Sequence, residues 1–365
     1  MLGAAAPLRT LVTILASAPR RARCRMLHAE AINNARLGIH NLGETQHPYK
    51  IIESAAEAQS FVESHDAFLF DCDGVLWRGD DGLLPDTIET LNMLESSGKR
   101  CVFVTNNAAK SRAEYATKFA KLGLDVTVEQ VVPSSFVAAR WLARTRSDVT
   151  DAFVIGADGL VAEMRDAGIN VLTAHDFDMP GADPADNEAS ASLALLAQAV
   201  DNAASVGAVV VGHDTSFNFK SLCLASLFLE RPGVTFVATN PDAYDVVVNR
   251  RMPGNGCFVA AVATVAGRQP DAVCGKPAQD LADYLVDAYS LDPTRTVMVG
   301  DRLDTDIALA HAMGASSLAV LTGVASADDL VWDQSRRRIW PMNSDGTPLP
   351  THAVSHIGRL RELLG

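Results

Sequence analysis

The sequence lacks several features that mark specialised classes of protein. Its six cysteines form no C-x-x-C pair, which speaks against a zinc cluster or a thioredoxin-type redox site. No apolar run approaches the length of a membrane span, and no Walker loop, internal repeat or low-complexity tract occurs. A chain of 365 residues does not need disulfides for its stability, so we expect buried free thiols in a reducing compartment.

Positive charge is also scarce, except at the N-terminus. The net charge of −13 repels phosphate backbones, so we expect no nucleic-acid partner. Residues 1–29 carry five arginines and no acidic residue, and this +5 leaves −18 for residues 30–365. Such a leader is typical of a mitochondrial or plastid transit peptide, with a disordered tail as the alternative. Because most of its charge follows the apolar stretch, we predict a cytoplasmic or organellar protein that is not secreted.

What the sequence contains is a regular alternation of short apolar runs and helical periodicity after about residue 60. Its length suggests two domains, and the alternation predicts an α/β protein with a doubly wound parallel sheet. A capping box at Ser111 and Glu114 predicts the start of one helix. The acidic, proline-containing stretch Thr173–Ser205 predicts a loop-rich insertion, which includes an Ala/Leu run with a helix-like pattern. The predicted strands are Ala67–Phe70, Arg100–Val104, Ala152–Ile155, Ala208–Val211, Thr235–Ala238, Val297–Val299 and Ser317–Leu321.

Two acidic residues follow the first predicted strand. Asp71 and Asp73 come directly after Ala67–Phe70, at the edge of the sheet where ligands bind in open α/β folds. Because residues i and i+2 of an extended chain point to the same side, we expect their carboxylates to converge. Two carboxylates forced together need a cation, and Mg²⁺ is the natural partner for such oxygen ligands beside phosphate. A turn without a chemical role is the alternative interpretation of Asp-x-Asp-Gly.

Three further groups of polar residues each follow a predicted strand. The first can donate hydrogen bonds to phosphoryl oxygens, the second can neutralise a phosphoryl dianion, and the third can complete a metal site. Taken singly, they are more often a turn, a solvated lysine and a complement to a helix dipole. Together, at one shared sheet edge, they match the needs of phosphoryl transfer through an aspartyl phosphate. The groups are Thr105, Asn106 and Asn107; Lys276; and Asp301, Asp304 and Asp306.

These motifs, in this order, resemble those of phosphatases of the haloacid dehalogenase (HAD) superfamily that carry a large α/β cap. They are DCDGV at 71–75, VTNN at 104–107, GKP at 275–277 and GDRLDTDI at 300–307. The group concerned contains 4-nitrophenylphosphatases, phosphoglycolate phosphatases and pyridoxal phosphatase (chronophin). The resemblance covers about residues 50–365. It implies a HAD core at 50–146 and 267–365, an inserted cap at 147–266 that sets substrate choice, and a leader at 1–49.

The resemblance also implies catalytic roles. Asp71 is the implied nucleophile, and Asp73 is the implied general acid and then general base. Lys276 is implied to balance charge on the substrate and the intermediate. The other residues implied to bind the substrate are Gly74, Thr105, Asn106 and Asn107.

A magnesium site is implied at the same edge of the sheet. Its implied ligands are Asp71, the backbone carbonyl of Asp73, and Asp301. Asp306 is implied to orient Lys276 or a metal-bound water from behind these ligands.

The implied substrate is a small phosphomonoester. We expect 2-phosphoglycolate first, with pyridoxal phosphate, glycerol phosphate or sugar phosphates as alternatives. In the predicted specificity loop at 211–220, Ser216 stands where chronophin-type phosphatases have histidine, which argues against pyridoxal phosphate. A homodimer through the cap is implied by several family members. A phosphate-binding scaffold without turnover is the alternative from another class, but it would not need Asp71, Asp73, Lys276 and Asp301 together.

Overall fold

The structure is a computed structural model that describes residues 20–42, 49–79, 82–177, 189–247, 250–330 and 348–365. All predicted strands are present, with ends shifted by no more than two residues. The strands are β1 (Lys50–Ile51), β2 (Ala67–Phe70), β3 (Arg100–Thr105), β4 (Val131–Pro133), β5 (Asp151–Ile155), β6 (Asn170–Leu172), β7 (Val206–Val211), β8 (Thr235–Ala238), β9 (Tyr244–Val247), β10 (Arg250–Pro253), β11 (Ala272–Val273), β12 (Thr296–Gly300), β13 (Ser316–Val320) and β14 (His352–Val354).

Helices alternate with these strands, and the predicted capping box does open a helix at Ser111. A π-helical turn follows β12 at Leu303–Ile307, and 3₁₀ turns lie at Val128–Gln130, Ala174–Asp176 and Pro293–Arg295. The helices are α1 (Arg20–Leu42), α2 (Ala55–Ser64), α3 (Thr87–Ser96), α4 (Arg112–Lys121), α5 (Ser134–Thr145), α6 (Asp158–Asp166), α7 (Ala189–Asn202), α8 (Phe219–Leu229), α9 (Asn255–Ala266), α10 (Gln279–Tyr289), α11 (Ala308–Met313), α12 (Ala327–Leu330) and α13 (Gly358–Leu364).

The larger sheet has seven strands in the order β1-β14-β13-β12-β2-β3-β4. β2 pairs in parallel with β12, and β12 pairs in parallel with β13. All four residues of β2 are buried, which explains why its sequence is a continuous apolar run instead of an alternating one. The predicted α/β class with a parallel sheet is confirmed.

The second sheet has five parallel strands in the order β11-β8-β7-β5-β6. Its core includes Phe153 and Phe228, whose ring centroids lie 5.3 Å apart. Leu196 and Val200 of α7 are buried in the same core. The Ala/Leu run within the predicted insertion Thr173–Ser205 therefore forms a helix, and its apolar face contributes to the packing. Residues 178–188 of that stretch lie outside the described ranges.

Internal contacts divide the chain into two units. The first comprises residues 1–101, 294–307 and 316–365, and the second comprises residues 102–293 and 308–315. The second unit extends well before residue 147 because α5 and α6 pack against each other across that position. The second sheet also extends beyond residue 266, since β11 pairs with β8. The cap limits of 147–266 stay a prediction, and β11 lies outside them.

The segment predicted to be a leader contains a packed helix. Within α1, four apolar residues are buried at helical spacing, while Leu37 is 61% exposed on another side. Arg36 forms an ion pair with Glu362 of α13. The expectation of a leader through residue 49 is therefore wrong from about residue 30, and residues 1–19 lie outside the described ranges. None of the described helices is both long and apolar enough to cross a membrane. The buried residues of α1 are Ala31, Ile32, Ala35 and Ile39.

A half-buried histidine in β14 predicts a loss of stability in mild acid. Burial, followed by the nearby charges of His65 and Lys50, lowers the pKa of His352 to about 4. The unfolded chain binds this proton near pH 6.5, roughly the ordinary histidine value. The neutral ring therefore stabilises the fold fully above that pH, and this contribution is lost as the pH falls toward 4. We expect the melting temperature to fall over this range, and to fall less steeply in His352→Gln. Equal slopes in both proteins would contradict this origin.

Candidate active site

Three buried carboxylates come together in the first unit. Ligand atoms of Asp71, Asp301 and Asp306 all lie within 4.8 Å of one another. Asp71 directly follows β2, and Asp301 directly follows β12; these strands are parallel neighbours, so their carboxyl ends meet at one edge. The backbone N–H of Asp71 donates to Val299 at 2.9 Å, which fixes the point where β2 leaves the sheet.

The charge of this cluster points to a bound cation. Buried carboxylates at such distances repel one another unless a proton or a cation relieves them. Carboxylate oxygens are hard ligands of the kind that Mg²⁺ and Ca²⁺ prefer. The three residues therefore fit a divalent metal ion, and Asp71, Asp301 and Asp306 would hold it. Asp306 thus lies among the candidate ligands, and its predicted role in orienting Lys276 or a metal-bound water stays a prediction.

Two glycines allow Asp301 to occupy this place. Gly74 has a φ of +89°, and a Cβ there would lie 2.5 Å from Asp301 Oδ2. A Cβ on Gly323 would lie 1.7 Å from the same oxygen. The backbone N–H of Val324 donates to Asp301 Oδ2 at 2.7 Å. The segment at 321–324 therefore forms one wall around Asp301, a role that its sequence alone does not reveal.

Asp306 also shapes the backbone on which Asp301 is mounted. Its Oδ2 accepts hydrogen bonds from the backbone N–H groups of Asp301 at 3.1 Å and Arg302 at 3.0 Å. This contact closes the loop between β12 and the π-helical turn. Asp304, by contrast, is exposed and pairs with Arg302, in agreement with an interpretation that gives it no chemical role.

Asp73 is held by a side chain that sequence reasoning missed. The indole Nε1 of Trp77 donates to Asp73 Oδ1 at 2.9 Å, and Trp77 is fully buried. The backbone N–H of Gly74 donates to the carbonyl of Trp77 at 2.7 Å, which closes the turn between them. A proton carrier needs such a defined orientation. The role of the Asp73 carbonyl as a metal ligand stays a prediction.

The sequence suggested that Lys276 follows a strand of the same sheet as the other motifs. In the structure, Lys276 lies in the second unit and does not follow a strand of the seven-stranded sheet. β11, the strand before it, belongs to the second sheet. Lys276 is nevertheless 2% exposed, and its Nζ donates to the carbonyl of Val104 near the end of β3 at 2.9 Å. The lysine therefore lies beside the Thr105–Asn107 motif by tertiary packing, because its own strand pairs elsewhere.

The side chain of Asn106 has a structural task in the second unit. Its Oδ1 accepts from the backbone N–H of Lys276 at 2.7 Å, and its Nδ2 donates to the carbonyl of Lys276 at 3.0 Å. Nδ2 also donates to Asp242 Oδ1 at 3.1 Å. Both amide hydrogens are thus engaged within the protein. The side-chain amide is therefore occupied within the protein, and the predicted phosphate contact of Asn106 stays a prediction for its backbone N–H.

Thr105 and Asn107 complete the same turn. The backbone N–H of Asn107 donates to Thr105 Oγ1 at 3.2 Å, and Asn107 Oδ1 accepts from the N–H of Ala109 at 3.0 Å. Thr105 is buried, whereas Asn107 is exposed. These bonds fix the turn after β3, and the predicted contacts of both residues with phosphate stay predictions.

The predicted specificity loop carries an aromatic cluster in the second unit. The rings of His213 and Phe217 lie 5.4 Å and 5.0 Å from that of Phe258. Asp214 Oδ1 accepts from both the N–H and the hydroxyl of Ser216. Ser216 is therefore part of a tight local turn, in which its hydroxyl is bound to Asp214.

The Asn106 clamp, meaning the bonds of Asn106 to Lys276 and Asp242, predicts a stability effect. Asn106→Ala removes the amide that binds the backbone of Lys276 and the carboxylate of Asp242, so these buried groups lose a hydrogen-bond partner. The change should lower the free energy of unfolding by about 2–4 kcal/mol. We expect denaturant unfolding to show this loss, and isothermal titration to show weaker binding of inorganic phosphate because Lys276 shifts. Asp242→Ala is the matched control, since it removes one bond and keeps Asn106; it should destabilise less. Weaker phosphate binding with unchanged stability in Asn106→Ala would instead indicate a direct phosphate contact.

Comparisons with known proteins show which families this chain resembles. The profile described as haloacid dehalogenase-like hydrolase matches residues 68–170, and the HAD-hydrolase-like profile matches residues 273–339. Phosphoglycolate phosphatase 2 of Arabidopsis thaliana is 40% identical over 76% of this chain and 90% of its own length. The chloroplastic phosphoglycolate phosphatase 1A of the same plant is 39% identical over 74% of this chain and 72% of its own.

A solved structure extends the likeness to three dimensions. The glycerol phosphate phosphatase of Mycobacterium tuberculosis in complex with magnesium aligns with a TM-score of 0.64 and 29% identity. The alignment covers 85% of this chain and 79% of that one. With the motifs, the carboxylate cluster and these relatives in agreement, the chain belongs to the haloacid dehalogenase-like hydrolases and is a phosphatase of that family.

Proposed function

We propose that this phosphatase hydrolyses a small phosphomonoester with Mg²⁺ through an aspartyl phosphate on Asp71. The observation that carries the proposal is the buried cluster of Asp71 with Asp301 and Asp306 at the carboxyl edge of β2 and β12. A carboxylate that is held beside a cation site is placed to attack the phosphorus atom of a phosphoryl group whose negatively charged oxygens would otherwise repel it. When bound, the metal ion supplies neutralisation of phosphoryl charge.

Asp71 and Asp73 act in both chemical steps, the transfer of the phosphoryl group to the enzyme and its hydrolysis. A carboxylate oxygen of Asp71 attacks phosphorus, the ester P–O bond breaks, and the leaving oxygen takes a proton from Asp73. Asp73 then accepts a proton from water, whose oxygen attacks the phosphorus of the aspartyl phosphate. Inorganic phosphate departs, and the carboxylate of Asp71 is restored. Trp77 keeps Asp73 oriented through both steps, and Lys276 balances the phosphoryl charge.

We propose 2-phosphoglycolate as the substrate. The support is the 40% identity to a plant phosphoglycolate phosphatase across nearly all of that enzyme. Glycerol phosphate is the second candidate, because the solved relative at 29% identity is a glycerol phosphate phosphatase. Pyridoxal phosphate has less support, since Ser216 is bound within its own turn to Asp214. A homodimer through the cap stays a prediction, and neither nucleic acid nor a membrane is a proposed partner.

A phosphate-release assay with Mg²⁺ tests the mechanism and the substrate together. The substrates are 2-phosphoglycolate, glycerol 3-phosphate, pyridoxal phosphate and 4-nitrophenyl phosphate, compared by kcat/KM. Asp71→Asn removes the nucleophile, so we expect kcat to fall by roughly four orders of magnitude or more. Asp304→Asn makes the same chemical change at an exposed position and should retain most of the activity.

Each outcome of this assay has a clear meaning. A leading kcat/KM for 2-phosphoglycolate supports the proposed substrate, and a leading value for glycerol 3-phosphate replaces it. Turnover that survives Asp71→Asn would refute the nucleophile. A folded wild-type protein that binds Mg²⁺ and releases no phosphate from any ester would favour a phosphate-binding scaffold.

We further propose that residues before Ala31 direct import into a plastid or mitochondrion. The support is the arginine-rich, acid-free sequence of residues 1–29 and the chloroplastic relative at 39% identity. Because Ala31 belongs to the buried face of α1, a processing site must precede it if this face is to stay with the enzyme. N-terminal sequencing of the native protein should therefore find a start before Ala31 in an organelle fraction. A start at Met1 in the cytosolic fraction would refute the proposal.

A further inference from the structure

Helix α1 packs into an apolar cluster of the first unit, which we call the rear cluster. Ala35 and Ile39 enter it from α1, on the face opposite the exposed Leu37. The other buried members are Tyr49, Ile307, Ala319, Leu321, Ala325, Leu330 and Ala353, with Ile51 and Leu303 packed against them. The cluster therefore joins a helix from the start of the chain to segments more than 250 residues later.

The rear cluster holds both ends of the turn that carries Asp306. Leu303 and Ile307 are the first and last residues of the π-helical turn, and both pack in the cluster. The carboxylate of Asp306 in turn accepts hydrogen bonds from the backbone N–H groups of Asp301 and Arg302. A shift of the turn would therefore move the backbone that carries Asp301.

The same cluster holds both sides of the segment around Gly323. Leu321 and Ala325 belong to the cluster. Val324, which lies between them, donates its N–H to Asp301 Oδ2 at 2.7 Å. The N–H of Ala325 donates to the carbonyl of Asp301 at 2.8 Å. Asp301 thus lies between two segments, and each segment is anchored at its two ends in the cluster that α1 covers.

We propose that α1 positions the metal-binding carboxylates Asp301 and Asp306, with Ile39 as the positioning residue. This rests on the metal site of the proposed function. Ile39 is buried in the same cluster as the anchors of both segments. Its removal would loosen the packing of that cluster and let the segments relax by the small distances to which metal coordination is sensitive. Neither Ile39 nor any other residue of α1 is offered as a ligand.

The rival explanation is that α1 contributes only to general stability. Any buried isoleucine stabilises the fold, and a cavity at its place is destabilising wherever it lies. The two explanations differ in what they predict for metal affinity measured on folded protein. Ile32 provides the matched control, because it is buried on the same helix and lies outside the rear cluster.

The experiment titrates Mg²⁺ alone into full-length protein by calorimetry and records the melting temperature of each variant. We expect Ile39→Ala to raise the Kd for Mg²⁺ about three- to ten-fold, at or below the lower end of the loss seen when a direct outer-shell partner is removed. Ile32→Ala should lower the melting temperature comparably and leave this Kd within about two-fold. Ile39→Val, which loses one methylene group, should restore most of the affinity.

The outcomes separate this proposal from the proposed function. An unchanged Kd in Ile39→Ala despite a lower melting temperature would refute the positioning role and leave the metal site standing. An equal rise of Kd in Ile32→Ala would refute it as well, since the effect would then be general. Absence of Mg²⁺ binding by the wild-type protein would refute the metal site and this proposal together. Should Ile39→Ala fail to fold, Ile39→Val is compared with Ile32→Val, and the same order of effects is expected.

Discussion

The structure depends on holding three carboxylates together in a place where water cannot screen them. Asp71, Asp301 and Asp306 are all buried, and their repulsion works against the fold unless a cation and fixed N–H groups oppose it. The surrounding chain opposes this repulsion with backbone N–H donors. Gly74 and Gly323 leave room for Asp301 because glycine has no side chain. Charge at this edge therefore constrains the sequence over three separate segments.

Local patterns were enough to find the residues at the ends of β2 and β12. An apolar run that ends in a carboxylate is visible within a few residues, and parallel pairing brings such ends to one edge of the sheet. Asp71 and Asp301 were predictable for this reason. Trp77 was not, because a fully buried indole beside an acid looks like any core residue until its Nε1 is seen to donate to Asp73.

The tertiary role of Lys276 and Asn106 could not be predicted, because it depends on contacts distant in sequence. The lysine was singled out from its motif, but its strand belongs to the second sheet, and pairing between β11 and β8 leaves no local pattern in the sequence. Asn106 was assigned to phosphate because amides after a strand often bind anions. Its real partners are the backbone of Lys276 and the carboxylate of Asp242, at 170 and 136 residues' separation. The N-terminal helix was missed for a different reason, since the arginines of residues 1–29, four of which lie within the helix, dominate the composition there.

The two sets of site residues are each fixed from within their own unit. Asp301 and Asp306 are held by backbone donors and packing of the first unit, whereas Lys276 is held by Asn106 and the Val104 carbonyl in the second. The half-exposed Arg36–Glu362 pair adds little to this, because an exposed ion pair contributes weakly in water. Apolar burial by Ala35 and Ile39 is the stronger attachment of α1. Packing near a metal site affects both the stability of the fold and the positions of the ligands. The proposed link therefore runs from the packing of α1, at the start of the chain, to the positions of Asp301 and Asp306 in its last third.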